Sequence, residues 1–278
     1  MQATFIGTGD AFSRRFGQTN ALIEADSMRL MIDFGHLTPQ RLEEADYSLA
    51  DITHVAISHI HADHIGGLEE LAFLTRFVHG NRITLLTPGN LRHLLWEHSL
   101  RGGLEMVADE AGEPVHCNLE TYFDVVELDD AWQQIGPIGL RPFCTDHVPG
   151  KDSWGFIIED EATGDRMIFG CDTRTRHAQL AEEPLDDDFS RGPIFHDCQL
   201  SGGGASTIHV PLQEIDYPSA VQERIVLVHY NDRLEEHLDA IRAAGLEVAY
   251  PGDVVRLPDW RSGLSAAAQP VPTAEEPR

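Results

Sequence analysis

A chain of 278 residues with 46 acidic and 20 basic side chains carries a formal net charge of −26, and Lys151 is its only lysine. Such a surface repels polyanions, which argues against a nucleic-acid or anionic-membrane partner and favours a small-molecule substrate. The charge fits either adaptation to high internal salt, where a Debye length of about 3 Å at 1 M weakens that repulsion, or a generally acidic proteome. The length suits one α/β domain burying roughly three-quarters of its unfolded surface. Apolar runs are too short for a membrane span, and the first residues already read as a strand rather than a signal peptide, so a cytoplasmic location is expected.

In chain order, residues 3–7 predict a strand, followed by a Gly- and Arg-containing loop over 8–15, paired strands at 20–24 and 29–34, and the turn Asp33-Phe34-Gly35. A helix is expected over 39–45. The β-branched, apolar run 52–58 predicts a buried parallel strand, and the periodicity of 68–77 predicts a helix, so residues 59–64 fall on the loop between them. Residues 88–122 are the least regular, with helical stretches near 90–100 and 119–123, and form a candidate lid; His93, His98 and His116 there read as surface residues. The second half predicts strands ending near residues 143, 172 and 229, a helix over 233–245 and closing strands to 257. Residues 259–278, rich in Ala, Pro, Ser and Glu, predict a disordered tail after a single domain over 1–258. Cys117, Cys144, Cys171 and Cys198 recur every 27 residues, but their flanks share nothing else, so no repeat is read. Buried free thiols are expected, because a strand neighbour of a site residue points to the opposite face.

Residues 59–64 read His-Ile-His-Ala-Asp-His, four metal-capable side chains in six positions. At the carboxyl end of a strand, residues two apart point the same way. His59 and His61 can therefore address one metal while Asp63 and His64 turn toward a second. Gly66 and Gly67 let the backbone pass close by. His147, Asp172 and His229 each follow or end an apolar run, at the strand edges where sites in such sheets collect.

This ordered set resembles the metallo-β-lactamase superfamily. The resemblance implies an α/β fold, a four-layer αββα sandwich, in which Asp33-Phe34-Gly35 packs under the metals. It further implies that His59, His61 and His147 bind one metal, that Asp63, His64 and His229 bind the other, and that Asp172 bridges them. Diiron relatives carry Glu at the second motif position, where this chain has His61. With an imidazole-rich ligand set, that points to two zinc ions, with manganese, iron or nickel as alternatives. Ions roughly 3.5–4 Å apart can hold a bridging hydroxide, which is hydrolytic chemistry.

The flanks of the later ligands choose a branch. The GHTPGH-type context of lactonase-like and glyoxalase-like members is absent around His147. Ser153-Trp154-Gly155-Phe156-Ile157-Ile158-Glu159, Gly7-Thr8-Gly9 and Leu227-Val228-His229-Tyr230 instead resemble the ribonuclease Z branch, over nearly the whole chain to about residue 257. That branch uses an acid and an extra histidine to protonate the leaving oxygen. The matching residues are Asp197, where relatives usually have Glu, and His209, which lies 20 residues before His229; Asp63 would orient the nucleophile or take its proton. Relatives often dimerise, so a homodimer, with a partner loop completing the pocket, is an assembly the resemblance raises.

Two departures argue against a tRNA-processing nuclease. Only 24 residues separate His147 from Asp172, too few for a basic tRNA-clamping arm, and the amino-terminal loop lacks the Pro/Lys/Arg pattern of such enzymes. Arg14, Arg15, Arg174 and Arg176 are the only clustered arginines. The reading is a binuclear metal-dependent hydrolase, a phosphodiesterase for a small phosphodiester such as a cyclic nucleotide, similar to compact bacterial and phage enzymes that blunt Pycsar signalling. A carbon-ester hydrolase (lactonase or thioesterase) and a ribonuclease Z-like RNA nuclease are the alternatives, and a non-enzymatic binding protein is a third class.

Overall fold

The computed structural model describes residues 1–181, 187–200 and 208–265. Its strands form two seven-stranded sheets and one small hairpin. The first sheet runs Val254–Arg256, Gln2–Gly7, Asn20–Ala25, Met28–Ile32, His54–Ala56, Ile83–Pro88 and Phe123–Leu128 from edge to edge. The second runs Glu247–Val248, Ile225–Val228, Ile194–Asp197, Arg166–Cys171, Trp154–Asp160, Ile138–Cys144 and Gln133–Ile135. Both share one design: strands on one side of the sheet pair antiparallel and those on the other side parallel.

Parallel strands need cover on both faces, and the side chains are apolar on both. In the first sheet Phe5, Ile23, Leu30 and Ala56 enter an interior shared with the second sheet, while their neighbours Ile6, Leu22, Met31 and Val55 enter a separate outer core. The register agrees, because Ile23 opposes Leu30 and Leu22 opposes Met31. The shared interior includes Phe156, Phe169, Phe195 and Val226 from the second sheet. Phe5 and Phe195 meet edge-to-face across it, ring centroids 4.8 Å apart. Helical segments Thr38–Glu44, Leu68–Phe73 and Leu91–Leu95 cover the first sheet's outer face. Ala178–Ala181, Ser219–Gln222 and Leu238–Ala243 cover the second. The layers therefore stack helix, sheet, sheet, helix, the expected αββα order.

Several elements differ in detail from the sequence reading. The motif strand is only His54–Ala56, because Ser58 turns its backbone N–H to the Asp33 carboxylate (2.7 Å) rather than to a neighbouring strand. The helix expected over 68–77 winds wider from Leu74 to His79 and ends at Gly80, whose φ of 70° favours glycine. The segment 88–122 contains, besides helical turns, an exposed hairpin pairing Met106–Ala108 with Pro114–His116. The helix expected over 233–245 divides at His237.

The tail expected from residue 259 does not hold for 259–265. Trp260 is buried in the interior core, and Ser265 donates its backbone N–H to the Asp253 carboxylate at 3.1 Å. Residues 266–278, the remainder of that stretch, lie outside the described ones. All four cysteines are free, but the expectation that they are buried fails at Cys144, which is exposed at the end of its strand, and holds only in part at Cys171, which is half-buried. Among the described residues no helix is long and apolar enough to cross a membrane.

The sheet-to-sheet contact should dominate stability. Phe5→Ala is expected to cost about 3–5 kcal/mol in urea unfolding. Val78→Ala, at a side chain 67% exposed, should stay within about 0.5 kcal/mol.

Candidate metal centre

The centre forms where the carboxyl ends of parallel strands from both sheets converge. Asp33 follows Met28–Ile32 and adopts φ 61°, a left-handed conformation that Asp tolerates better than most residues. Its Oδ1 accepts from the Ser58 N–H at 2.7 Å, and its Oδ2 accepts from Ser58 Oγ and His64 Nδ1, each at 2.7 Å. One buried carboxylate thus grips both ends of the His-Ile-His-Ala-Asp-His loop. The backbones pack closely here: a Cβ on Gly35 would lie 2.0 Å from the Asp63 carbonyl oxygen. One on Gly67 would lie 2.6 Å from that of Gly35.

Three imidazole nitrogens and a carboxylate gather on one side. His61 Nδ1 lies 2.9 Å from His59 Nε2 and 3.2 Å from His147 Nε2. Asp172 Oδ2 is 3.7 Å from His59 Nε2 and 3.6 Å from His147 Nε2. Asp63, His64 and His229 form the neighbouring group. Asp63 Oδ2 lies 3.3 Å from His64 Nε2 and 3.5 Å from His229 Nε2. Asp172 reaches these two rings as well, at 3.4 and 3.5 Å. Within each group the donor atoms lie no more than 4.8 Å apart.

The donors fit a divalent cation. With metal–nitrogen bonds of about 2.0–2.1 Å, ligand nitrogens in a tetrahedral site stand roughly 3.3 Å apart, close to the spacing of His59, His61 and His147. The Nε2 atoms of His64 and His229 are buried without a hydrogen-bond partner, an arrangement that costs free energy unless a cation meets them. The outer nitrogens face acceptors from behind, with hydrogen bonds at His147 and His64 and a longer contact at His229. His147 Nδ1 donates to the Ile208 carbonyl at 2.7 Å, His64 Nδ1 meets Asp33, and His229 Nδ1 lies 3.4 Å from Asp197 Oδ1. Such outer contacts aim the inner nitrogens of metal-binding histidines.

The electrostatics follow this geometry. Burial alone would raise the Asp172 carboxyl, but His229 and His64 hold it well below the usual carboxylate range. Burial would likewise lower His64 and His229, yet Asp172 lifts both well above the usual imidazole range. Burial, reinforced by His64, pushes His59 well down.

A third group, Asp172, Asp197, His209 and His229, borders the other two. Asp197 is fully buried. Its Oδ2 lies 2.8 Å from His209 Nδ1 and accepts from the Thr173 N–H at 3.0 Å. Burial opposes ionisation of Asp197, but His209 holds its carboxyl down at about 2. Although burial works against it, the Asp197 charge raises His209 above the ordinary imidazole value. Aspartate, one methylene shorter than glutamate, still reaches.

All nine residues singled out in the sequence therefore meet in one centre. Asp33 was legible as part of a supporting turn, but its grip on Ser58 and His64, and the Thr173 N–H, were not. Cys171 was misread: at φ 49° it leaves the strand's alternation and lines a cavity of about 20 Å³ with Asp33, His64 and Asp172. His93, His98 and His116 are exposed and stand outside the described metal-capable groups. Of the clustered arginines, Arg15 pairs with Glu235 and Arg174 with Asp146.

Residues 1–248 match the family model described as anti-Pycsar protein Apyc1. The anti-Pycsar protein Apyc1 of Paenibacillus xerothermodurans is 37% identical over 241 residues, covering 86% of this chain and 91% of that protein. The anti-Pycsar protein Apyc1 of Bacillus phage 010DV004 is 37% identical over 246 residues, covering 85% and 91%. Among solved structures, the metallo-β-lactamase fold protein YhfI from Bacillus subtilis is similar with a TM-score of 0.63 at 15% identity, over 91% of this chain and 98% of that one. The short form of human tRNase Z is similar with a TM-score of 0.62 at 18% identity, over 93% and 100%. The chain belongs to the anti-Pycsar Apyc1 family and is a metal-dependent hydrolase with the metallo-β-lactamase fold.

Proposed function

We propose that this protein is a two-metal phosphodiesterase that opens cyclic nucleotides. The observation that carries the reading is the convergence of two donor sets on one shared carboxylate, Asp172, with the His209–Asp197 pair at their border. The family's anti-Pycsar description supports a cyclic nucleotide as substrate, and a net charge of −26 suits a small one.

His59, His61, His147 and Asp172 would hold one divalent cation, and Asp63, His64, His229 and Asp172 the other. The dominance of imidazole favours zinc, with manganese or iron as alternatives. When bound, the ions would supply an activated water at neutral pH and positive charge for the nonbridging phosphate oxygens. The chain's own groups do the rest. Asp63, kept ionised by His64 and His229 against the opposing effect of its burial, accepts a hydrogen bond from the attacking water and orients it. His209, with Nδ1 turned to Asp197, can donate its other ring proton to the departing ribose oxygen. Asp197 stabilises the charged imidazole before transfer and fixes the ring's orientation. Proton delivery matters because an alkoxide leaves poorly without it.

Three measurements test this reading. Purified, zinc-loaded protein should hydrolyse cyclic mononucleotides at least roughly 100-fold faster, by kcat/KM, than lactones, thioesters or structured RNA. The opposite order would replace it with the carbon-ester or nuclease alternative. His209→Ala should slow cyclic-nucleotide opening about 10²- to 10⁴-fold. It should slow bis(p-nitrophenyl) phosphate less than about tenfold, since nitrophenolate leaves without a proton. Metal affinity should rise with pH. His64 and His229, lifted above the usual imidazole range, are protonated in the metal-free protein and must lose those protons on binding. Calorimetry in buffers of different ionisation enthalpy should detect their release, and affinity independent of pH would count against these ligands.

A further inference from the structure

Behind the His209–Asp197 pair lies a buried chain of polar groups to which the mechanism assigns no role. His196 is fully buried, and its Nδ1 lies 2.6 Å from the carbonyl oxygen of Asp197. A carbonyl only accepts, so Nδ1 carries the proton. Burial lowers this ring's proton affinity, leaving it neutral with Nε2 as an acceptor. Tyr217 Oη lies 2.8 Å from that Nε2 and must donate to it. The same oxygen accepts the His177 backbone N–H at 2.8 Å. The direction of every bond is therefore fixed, from His177 N–H through Tyr217 and His196 to the Asp197 peptide group.

This chain joins the segments that carry the proton-donating pair. His177 ends the loop that begins at Asp172, whose Thr173 N–H holds Asp197 Oδ2. Tyr217 ends the stretch that begins at His209, which is tied back by Val210 N–H to the Thr173 carbonyl (2.8 Å) and by Leu212 N–H to the Gln199 carbonyl (3.1 Å). His196 and Asp197 close their own strand. Asp197 is thus held through both its carboxylate and its backbone, and the Tyr217 hydroxyl meets both the His177 backbone and His196. The Tyr217 ring packs in the outer core of the second sheet, so its apolar body is anchored independently of its hydroxyl.

We propose that Tyr217 is a positioning residue for proton delivery: acting through His196, its hydroxyl fixes the Asp197 peptide and so the angle at which His209 meets the leaving oxygen. The proposal rests on the phosphodiesterase reading above. Tyr217→Phe keeps the ring and removes only the hydroxyl. It is expected to lower kcat for a cyclic mononucleotide roughly 10- to 100-fold with KM little changed. Bis(p-nitrophenyl) phosphate turnover should fall less than about threefold, with metal content unchanged. In a His209→Ala background the same substitution should cost nothing further, because the group it positions is gone. His196→Asn, whose amide can still donate to the Asp197 carbonyl but whose shorter side chain places no acceptor where Nε2 meets Tyr217, should give the same split and reads the same link if Tyr217→Phe folds poorly. Equal losses on both substrates, or a loss that multiplies with that of His209→Ala, would reduce Tyr217 to a structural residue. Wild-type protein inactive on both phosphodiesters would overturn the phosphodiesterase reading and this proposal together, whereas an active wild type indifferent to Tyr217→Phe and His196→Asn would overturn the positioning role alone.

Discussion

The carboxylate of Asp172 is 2% exposed and faces five imidazoles, those of His64, His229, His147, His59 and His209, at 3.4 to 3.8 Å. Few arrangements are harder to bury. A lone carboxylate resists leaving water, and clustered imidazoles repel one another once protonated. The two costs offset only when the groups face each other at these distances. Asp172 comes from the second sheet, and the His-Ile-His-Ala-Asp-His loop comes from the first. The centre therefore exists only while the sheets are closed on each other, with Phe5 and Phe195 packed between them.

Around that charge centre, the fold provides fixed acceptors and strained turns. Asp33 and the Ile208 carbonyl hydrogen-bond the outer nitrogens of His64 and His147, and Asp197 faces that of His229 at 3.4 Å, so the inner nitrogens are aimed at the centre. Asp33, Cys171 and His229 all adopt positive φ at or just beyond strand ends. Strain of this kind persists where the surroundings over-determine it, and it clusters at functional sites. Here it turns the chain sharply where each strand leaves its sheet, which lets short loops deliver donors from several strands to one point.

Much of this was legible in the sequence because metal-site chemistry is local in pattern. The motif at 59–64 is dense enough to stand alone, and His147, Asp172 and His229 follow or end short apolar runs. His209 and Asp197 were found through family resemblance rather than spacing, and the structure brings them to 2.8 Å. What escaped was what depends on backbone conformation or distant packing. Strand alternation placed Cys171 on the wrong face because it cannot anticipate a residue at φ 49°. Composition marked residues 259–265 as tail, but Trp260 finds a place in the interior core that only the closed sheets create. The link from His177 through Tyr217 to His196 joins residues 40 and 21 positions apart and has no local signature.

The proposed chemistry depends most on two cations sharing Asp172. Anomalous diffraction from crystals of the zinc-loaded protein tests that directly. Two peaks are predicted roughly 3.5–4 Å apart, one against His59, His61 and His147 and one against Asp63, His64 and His229, with the Asp172 carboxylate between them. A single peak, or peaks away from Asp172, would contradict it.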